Sequence, residues 1–284
     1  MRDYRTQPVA SIPKTEGGRA GQNWSVVVPA YNEEQYLAET LASITAQTIS
    51  GATIILVDNG SSDETASVMT VFARENSGCK TVILSDLRPG KINALETGIA
   101  AVETEFVALC DADTIYPPTY LERAGAMLGD AETDTVAAFA FGVYSDAGPL
   151  GAWFTKTKGA IIAALLPNQG HTGGYGHAFK TAALRKAGGY SAKLWPYMVA
   201  DHEVVNRIVK QGAIAYRSDH WCLTSSRRAG RGNVDWKLHE RLLYNITPAA
   251  TKDWFFYEYL RPRFEARKFF NANLRRRDWE PPEA

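Results

Sequence analysis

Three apolar runs in this 284-residue chain end in clusters of side chains that could do chemistry. VVVPAYNEE (26–34) delivers Tyr31, Asn32 and Glu33; IILVDNGSSDET (54–65) delivers Asp58 and Asp63; FVALCDADT (106–114) delivers Asp111 and Asp113. The last pair is the sharpest. On an extended chain residues i and i+2 point the same way, so both carboxylates face one cavity. Two acids so placed repel unless a cation stands between or beside them. Hard divalent ions with oxygen ligands, Mg²⁺ or Mn²⁺, are the natural filling. Such an ion would hold a diphosphate and act as a Lewis acid toward a departing phosphate oxygen. Competing readings exist: Asn32 and Ser62 can cap helices, and Asp58-Asn59-Gly60 is ordinary turn chemistry. Convergence favours chemistry, because ligands of parallel α/β sheets sit at the carboxyl ends of strands.

The elements that would position these residues alternate along the chain. WSVVVPA (24–30), ATIILVD (52–58), TVILSD (81–86) and EFVALCDAD (105–113) read as strands. Helices are expected over 33–47, after Ser61 or Ser62, and from Lys91. Asp63 and Glu64 stand where a helix dipole favours acids. Uniformly apolar strands separated by helices imply a mostly parallel sheet covered on both faces. Further strands are expected at 134–145 and, as one or two, over 213–223; helices are expected at 151–166 and 201–211. HTGGYGHAFK (171–180) reads as a Gly-rich loop entering a strand, and from 233 the pattern is helical, aromatic and basic. The expected organisation is a leader over 1–23, an α/β domain over 24–232 and a helical extension over 233–284.

Composition narrows the function. Lys plus Arg and Asp plus Glu each number 31, so the net charge is zero, against nucleic acid as the main partner. Cys79, Cys110 and Cys222 are too scattered for a disulfide framework or a zinc site and fit a reducing compartment. No run reaches the roughly 18 apolar residues of a membrane span, and the first residues carry no secretory pattern. A cytoplasmic protein is expected.

VVVPAYNEE (26–34), VDNGSSDET (57–65), GKINAL (90–95) and CDADT (110–114) resemble the blocks of the GT-A glycosyltransferases of family 2. GGYGHAFK (173–180) and ADHEVVNRIVKQG (200–212) are similar to that family's later blocks, in the same order. The resemblance covers about 24–236. It implies an inverting, metal-assisted transfer of a sugar from a nucleotide-diphosphate donor, a UDP-sugar first, to a hydroxyl. Asp111-Ala112-Asp113 looks like the DxD motif, with Asp111 toward the nucleotide and Asp113 on the metal. Pro29, Tyr31 and Glu33 would line the nucleotide pocket, Asp58 would bond the base with Asp63 nearby, and Lys91 would offset phosphate charge.

The family's base is an Asp in a Glu-Asp pair. The matching dipeptide here is Ala200-Asp201, so Asp201 is the expected base and Glu203 its competitor. A nucleotide-sugar or glycan-binding protein without catalysis is the second reading, left open by Ala200. By the same resemblance, His220 would be a third metal ligand. His171, His177 and His202 fall in or near the site, and Gly173–Gly176 would let the backbone approach sugar or acceptor. Trp195 could stack on the acceptor or fill a core corner. Arg228 and Arg231, in SSRRAGRG (225–232), could clamp a phosphate or lie in a surface loop. The displaced Trp236 and the absence of membrane spans argue against a processive synthase.

Residues 251–278 mix eight Lys and Arg with aromatic side chains, as in helices that lie on anionic lipid. Phe256, Leu260, Phe264, Phe270 and Leu274 would share one helical face, interrupted by Pro262, Arg263 and Arg267. This segment would contact the cytoplasmic face of a membrane, which implies a lipid-linked acceptor, or else pack on the domain or on a second subunit. A carbohydrate acceptor is the other expectation.

Overall fold

A strand with apolar residues at every position serves two faces at once. The structure, a computed structural model, describes residues 23–225 and 236–276, the last three of them by backbone alone. In β1 (Trp24–Ala30), Trp24, Val26 and Val28 enter one core, while Val27 enters the other. β1 lies between β2 (Thr53–Asp58) and β4 (Phe106–Cys110), parallel to both, and β3 (Thr81–Ser85) continues the parallel set beyond β2. The direction changes past β4. β7 (Gly176–Lys180) runs antiparallel to β4 and to β6 (Thr135–Tyr144), and β8 (Ala213–Thr224) is parallel to β6. The short β5 (Thr114–Ile115) pairs antiparallel with β8, giving the order β3-β2-β1-β4-β7-β6-β8-β5.

Helices cover both faces, as parallel strands require. On one lie α1 (Leu37–Thr45), α2 (Thr65–Glu75) and α4 (Tyr120–Leu128), which bury Leu37, Leu41, Met69, Tyr120 and Leu121 against the sheet. On the other lie α3 (Lys91–Ala100), α6 (Thr181–Lys186) and α7 (Ala200–Ile208), with the C-terminal segment packed outside them. α5 (Pro149–Leu165) rides on β6 and β8, and α8 (Leu238–Ile246) begins the extension.

Several expected bounds move for local reasons. α1 starts at Leu37 because Glu33–Tyr36 close a turn through the Glu33 carbonyl. β4 stops at Cys110 because the Asp111 N–H leaves the ladder for the Tyr116 hydroxyl, 2.8 Å away. α4, α6 and β5 were not expected from the sequence, and 213–223 forms one strand, bulged against β6. The expected boundary at 232/233 lies outside the described residues.

The extension is not one amphipathic helix. A π-helical stretch (Trp254–Leu260) continues into α9 (Arg261–Ala266) and a final 3-10 turn (Asn271–Arg276). Phe256, Leu260 and Phe264, from the face expected at a membrane, are fully buried, and Phe270 stacks on Tyr197 at 5.3 Å. That face packs on the domain; the Leu274 side chain lies outside the described residues. Among the described residues no helix is long and apolar enough to cross a membrane.

Candidate active site

A cavity of about 670 Å³ opens beyond the carboxyl end of β4. Lys91 and Ile92 of α3, Asp111 and Asp113 line one part of it; the 170–175 loop, Asp201, His202, α8 and Asn271 line the rest. Lys91 forms a tight ion pair with Asp111, which places an ammonium beside the paired acids. Asp113 is mostly buried in the same wall.

The start of α3, which carries Lys91, is held from two sides. Asn59, from the loop after β2, donates to the Asp86 and Arg88 carbonyls at 2.7 and 2.8 Å and accepts from the Gly90 N–H at 3.1 Å. From the C-terminal segment, Asn271 Oδ1 accepts the Ile92 N–H at 3.2 Å, a helix-start amide with no partner inside the helix. Gly90 has φ 113°, and a Cβ there would meet Asn271 and Ala272 at 3.2–3.3 Å. Only glycine suits both demands.

A second wall is the Gly-rich loop. Gly142 and Gly173 leave a slot for the Tyr175 ring, which a Cβ on either would penetrate. The Tyr175 carbonyl accepts the Tyr116 hydroxyl at 2.7 Å, and that hydroxyl holds Asp111, so loop and acidic turn are tied together. The Gly174 N–H donates to Asp201 Oδ2 at 3.1 Å. A Cβ on Gly174 would lie 3.5 Å from the Asp201 Cβ and 3.9 Å from Lys91 Nζ, so the three residues share one corner.

Asp201 is the second residue of α7. The preceding turn is strained: Val199 adopts φ 53°, ψ 33°, a left-handed conformation that a β-branched residue enters only when its surroundings force it. Desolvation pushes the Asp201 carboxyl up, but the His202 and His177 rings, the His202 N–H and Lys91 outweigh it and hold the pKa below that of an ordinary aspartate. Glu203 is engaged elsewhere. Both its oxygens take the Arg207 guanidinium at 2.8 Å, the Tyr257 hydroxyl adds a third bond, and it is fully buried. Of the two acids, only Asp201 lines the cavity.

The β1 and β2 residues stand at the strand ends but are not among those lining this cavity. Pro29 is buried in β1, and Tyr31 is half-exposed. The N–H of the buried Glu33 donates to Thr65 Oγ1 at 2.8 Å. Asp58 accepts the Ser61 N–H at 3.1 Å, a turn bond. Asp63 accepts the Thr65 N–H at 3.0 Å and the Glu34 N–H at 3.2 Å, which marks a helix-start acid stitching two loops. Burial raises its pKa, but these bonds carry it below the usual range.

Two expectations are corrected, and one of the two readings of Trp195 is selected. His220 does not reach the cavity that Asp113 lines. Alternation along β8 turns it inward with Cys222, where its ring stacks on Tyr120 at 4.8 Å and burial lowers its pKa to about 3. His177 is turned with Phe179 into the other core, stacked on Phe139 at 3.8 Å, with its pKa lowered by burial to about 4. Trp195 is a core corner: fully buried among Tyr197, Phe256 and Phe264, it donates its indole N–H to the Met198 carbonyl at 2.8 Å. Arg228 and Arg231 lie outside the described residues. Among the described residues no group of three or more His, Cys, Asp or Glu could hold a metal by itself.

Sequence reasoning missed Asn271, Tyr190 and the α8 residues Arg241, Tyr244 and Asn245. Asn271 and the α8 residues stand far along the chain in a segment whose spacing signals only helix, and Tyr190 lies in the turn after α6.

Residues 25–187, more than half of the chain, match the family described as Glycosyl transferase family 2. The chain belongs to that family. This family-2 chain is 35% identical over 99 residues to an uncharacterized glycosyltransferase of Haemophilus influenzae, covering 35% of this chain and 30% of the relative. It is 31% identical over 145 residues to the undecaprenyl-phosphate 4-deoxy-4-formamido-L-arabinose transferase of Serratia proteamaculans, covering 50% and 42%. The matches thus span less than half of either relative. Among solved structures, the mannosyltransferase PcManGT of Pyrobaculum calidifontis, in complex with GDP-Man and Mn²⁺, superposes with a TM-score of 0.60 at 20% identity, covering 89% of this chain and 69% of that one. Residues 1–349 of S. aureus TarS give 0.56 at 21%, covering 86% and 72%. The shared fold is GT-A. The family match supplies Lys91, Asp111, Asp113 and the Gly-rich loop; Asp201, α8 and Asn271 come from beyond it.

Proposed function

We propose that this family-2 chain transfers a glycosyl group, with inversion, from a nucleoside-diphosphate sugar, a UDP-sugar first, to a hydroxyl. The observation that carries this reading is one cavity that brings Lys91, Asp111 and Asp113 together with Asp201, whose carboxylate is bonded to the Gly-rich loop and has a lowered pKa. Lys91 offers its charge to the diphosphate, and Asp111 orients that ammonium. Asp201, ionised at neutral pH, takes the acceptor proton as the acceptor oxygen attacks the anomeric carbon. The bond from that carbon to the diphosphate oxygen breaks, and the nucleoside diphosphate leaves with the electron pair. Oδ2 of Asp201 takes the Gly174 N–H and Oδ1 the His202 N–H, so the carboxylate is held in one orientation with lone pairs left for that proton.

Mg²⁺ or Mn²⁺ fits this donor set, because such ions are held by one or two carboxylates plus substrate phosphates and need no all-protein cage. Asp113 and Asp111 would hold it, and when bound it would supply Lewis-acid stabilisation of the leaving diphosphate. Relatives named for undecaprenyl phosphate support a lipid-linked acceptor; a soluble glycan is the alternative.

The test is thermal melting with UDP-, GDP-, dTDP- and CDP-sugars, each with Mn²⁺, Mg²⁺ or EDTA. A ligand at about a hundred times its Kd stabilises the native state by about 2.7 kcal/mol. One nucleotide is expected to raise the melting temperature with metal, and Asp113→Ala to abolish the rise while staying folded. No shift with any nucleotide would overturn the reading. A shift without slow donor hydrolysis would leave a binding protein in place of an enzyme.

A further inference from the structure

A helix resting on a sheet ordinarily turns its bulky apolar side inward. α5 does the opposite. Its sheet side is made of small residues: Ala163 is buried, and Gly159 sits so close to Phe141 that a Cβ would lie 2.6 Å from the ring. Its outer side carries Leu150, Phe154, Ile161 and Leu165, spaced as one stripe, with Trp153 alongside, and each is more than half exposed. α8 repeats the pattern. Tyr244 and Glu240 face inward, while Leu238, Leu242 and Ile246, four residues apart, are each more than half exposed. Stripes of this size on a folded surface mark contact with something apolar.

Position and charge say what that is. Gln169, just past α5, donates to the Asn245 carbonyl of α8 at 3.0 Å, and Arg241, Tyr244 and Asn245 line the cavity, so α8 stands at the cavity and the loop leaving α5 is tied to it. α5 contains no acid; its Lys158 is exposed, while Lys156 is half-buried over the Trp221 ring of β8 at 4.9 Å. The single acid of α8, Glu240, is buried against Arg267 at 2.7 Å, while Lys237 and Arg241 stand at the surface. The outward charges of both helices are therefore positive. Apolar and aromatic stripes accompanied by Lys158, Lys237 and Arg241 suit the headgroup boundary of an anionic bilayer.

We propose that α5 and α8 dock this chain on an anionic lipid bilayer, with the cavity mouth held at its surface. This replaces residues 251–278, whose aromatic face is buried, as the site of membrane contact. The proposal does not need the catalytic reading, and its test uses no donor.

The full chain is floated with vesicles of phosphatidylcholine alone and of phosphatidylcholine with phosphatidylglycerol, at low and high salt. Binding is expected to the anionic vesicles, weakened by salt. The exposed substitutions Phe154→Ser and Ile161→Ser together are expected to cut it by about tenfold or more, with the melting temperature and any donor-induced shift unchanged. Lys158→Glu, which leaves the apolar stripe intact, should weaken anionic binding alone. Failure of the parent chain to float overturns the proposal. So does a Phe154/Ile161 double variant that floats like the parent. So does light scattering that finds a dimer the double variant breaks, since a second copy then covers the stripes.

Discussion

Asp201 and Glu203 carry the same functional group two residues apart on α7, and their surroundings divide the work. A helix turns residues two apart about 200° from each other, so one acid meets the cavity and the other the buried Arg207 and Tyr257. Asp201→Asn is expected to lower turnover by about a hundredfold or more while leaving donor binding and melting nearly unchanged. Glu203→Gln should instead cost about 3 kcal/mol, because Arg207 keeps a buried charge with a weakened partner. Chemical denaturation beside a turnover assay checks both, and equal effects of the two variants on stability would refute the division. Asp111 and Asp113 were legible from a strand end and a family block together, Lys91 and Asp201 from family blocks alone, and one cavity brings the four together. His177 and His220 were not legible, and Trp195 was left between two readings. Their types suit catalysis and packing alike, and only the alternation of β7 and β8, or the closure of a core corner, shows which side they face.

At the scale of elements, the parallel half of the sheet was legible because β1, β2 and β4 are apolar throughout. The antiparallel β7 was not, since a five-residue strand carries no mark of its direction. The C-terminal segment misled for a related reason: an aromatic stripe edged by arginines looks the same whether it faces lipid or protein. Here it covers α7, and its Asn271 caps α3. Losing a side-chain partner for a helix-start amide costs about 1 kcal/mol, close to fivefold in an equilibrium. Asn271→Ala is therefore expected to loosen Lys91 and weaken donor binding by about fivefold, with a small loss of stability. A donor titration followed by melting temperature reads both, and unchanged donor affinity would remove Asn271 from the site.

For the whole molecule, two buried histidines set the acid flank of stability. His177 and His220 have folded pKa values lowered to about 4 and about 3, against 6.5 when exposed, through burial. Between those values the unfolded chain binds more protons, so stability falls as pH falls. Each ring should account for about 2 kcal/mol of loss by about pH 5. His220→Phe, which keeps a ring against Tyr120, is expected to flatten that decline, and melting curves that run parallel in the two proteins would refute it. The cap on α3 has a further consequence during synthesis. Ile92 and Asn271 are 179 residues apart, so at about 5–20 residues per second the ribosome delivers the cap roughly 10–40 s after the amide it satisfies. Late in that interval the nascent chain already contains the family-matched residues, yet the Trp195 corner lacks its covering aromatics and Lys91 lacks its brace. A message cut short near its end would thus yield a protein with every acidic residue of the cavity and a loosened hold on its cation.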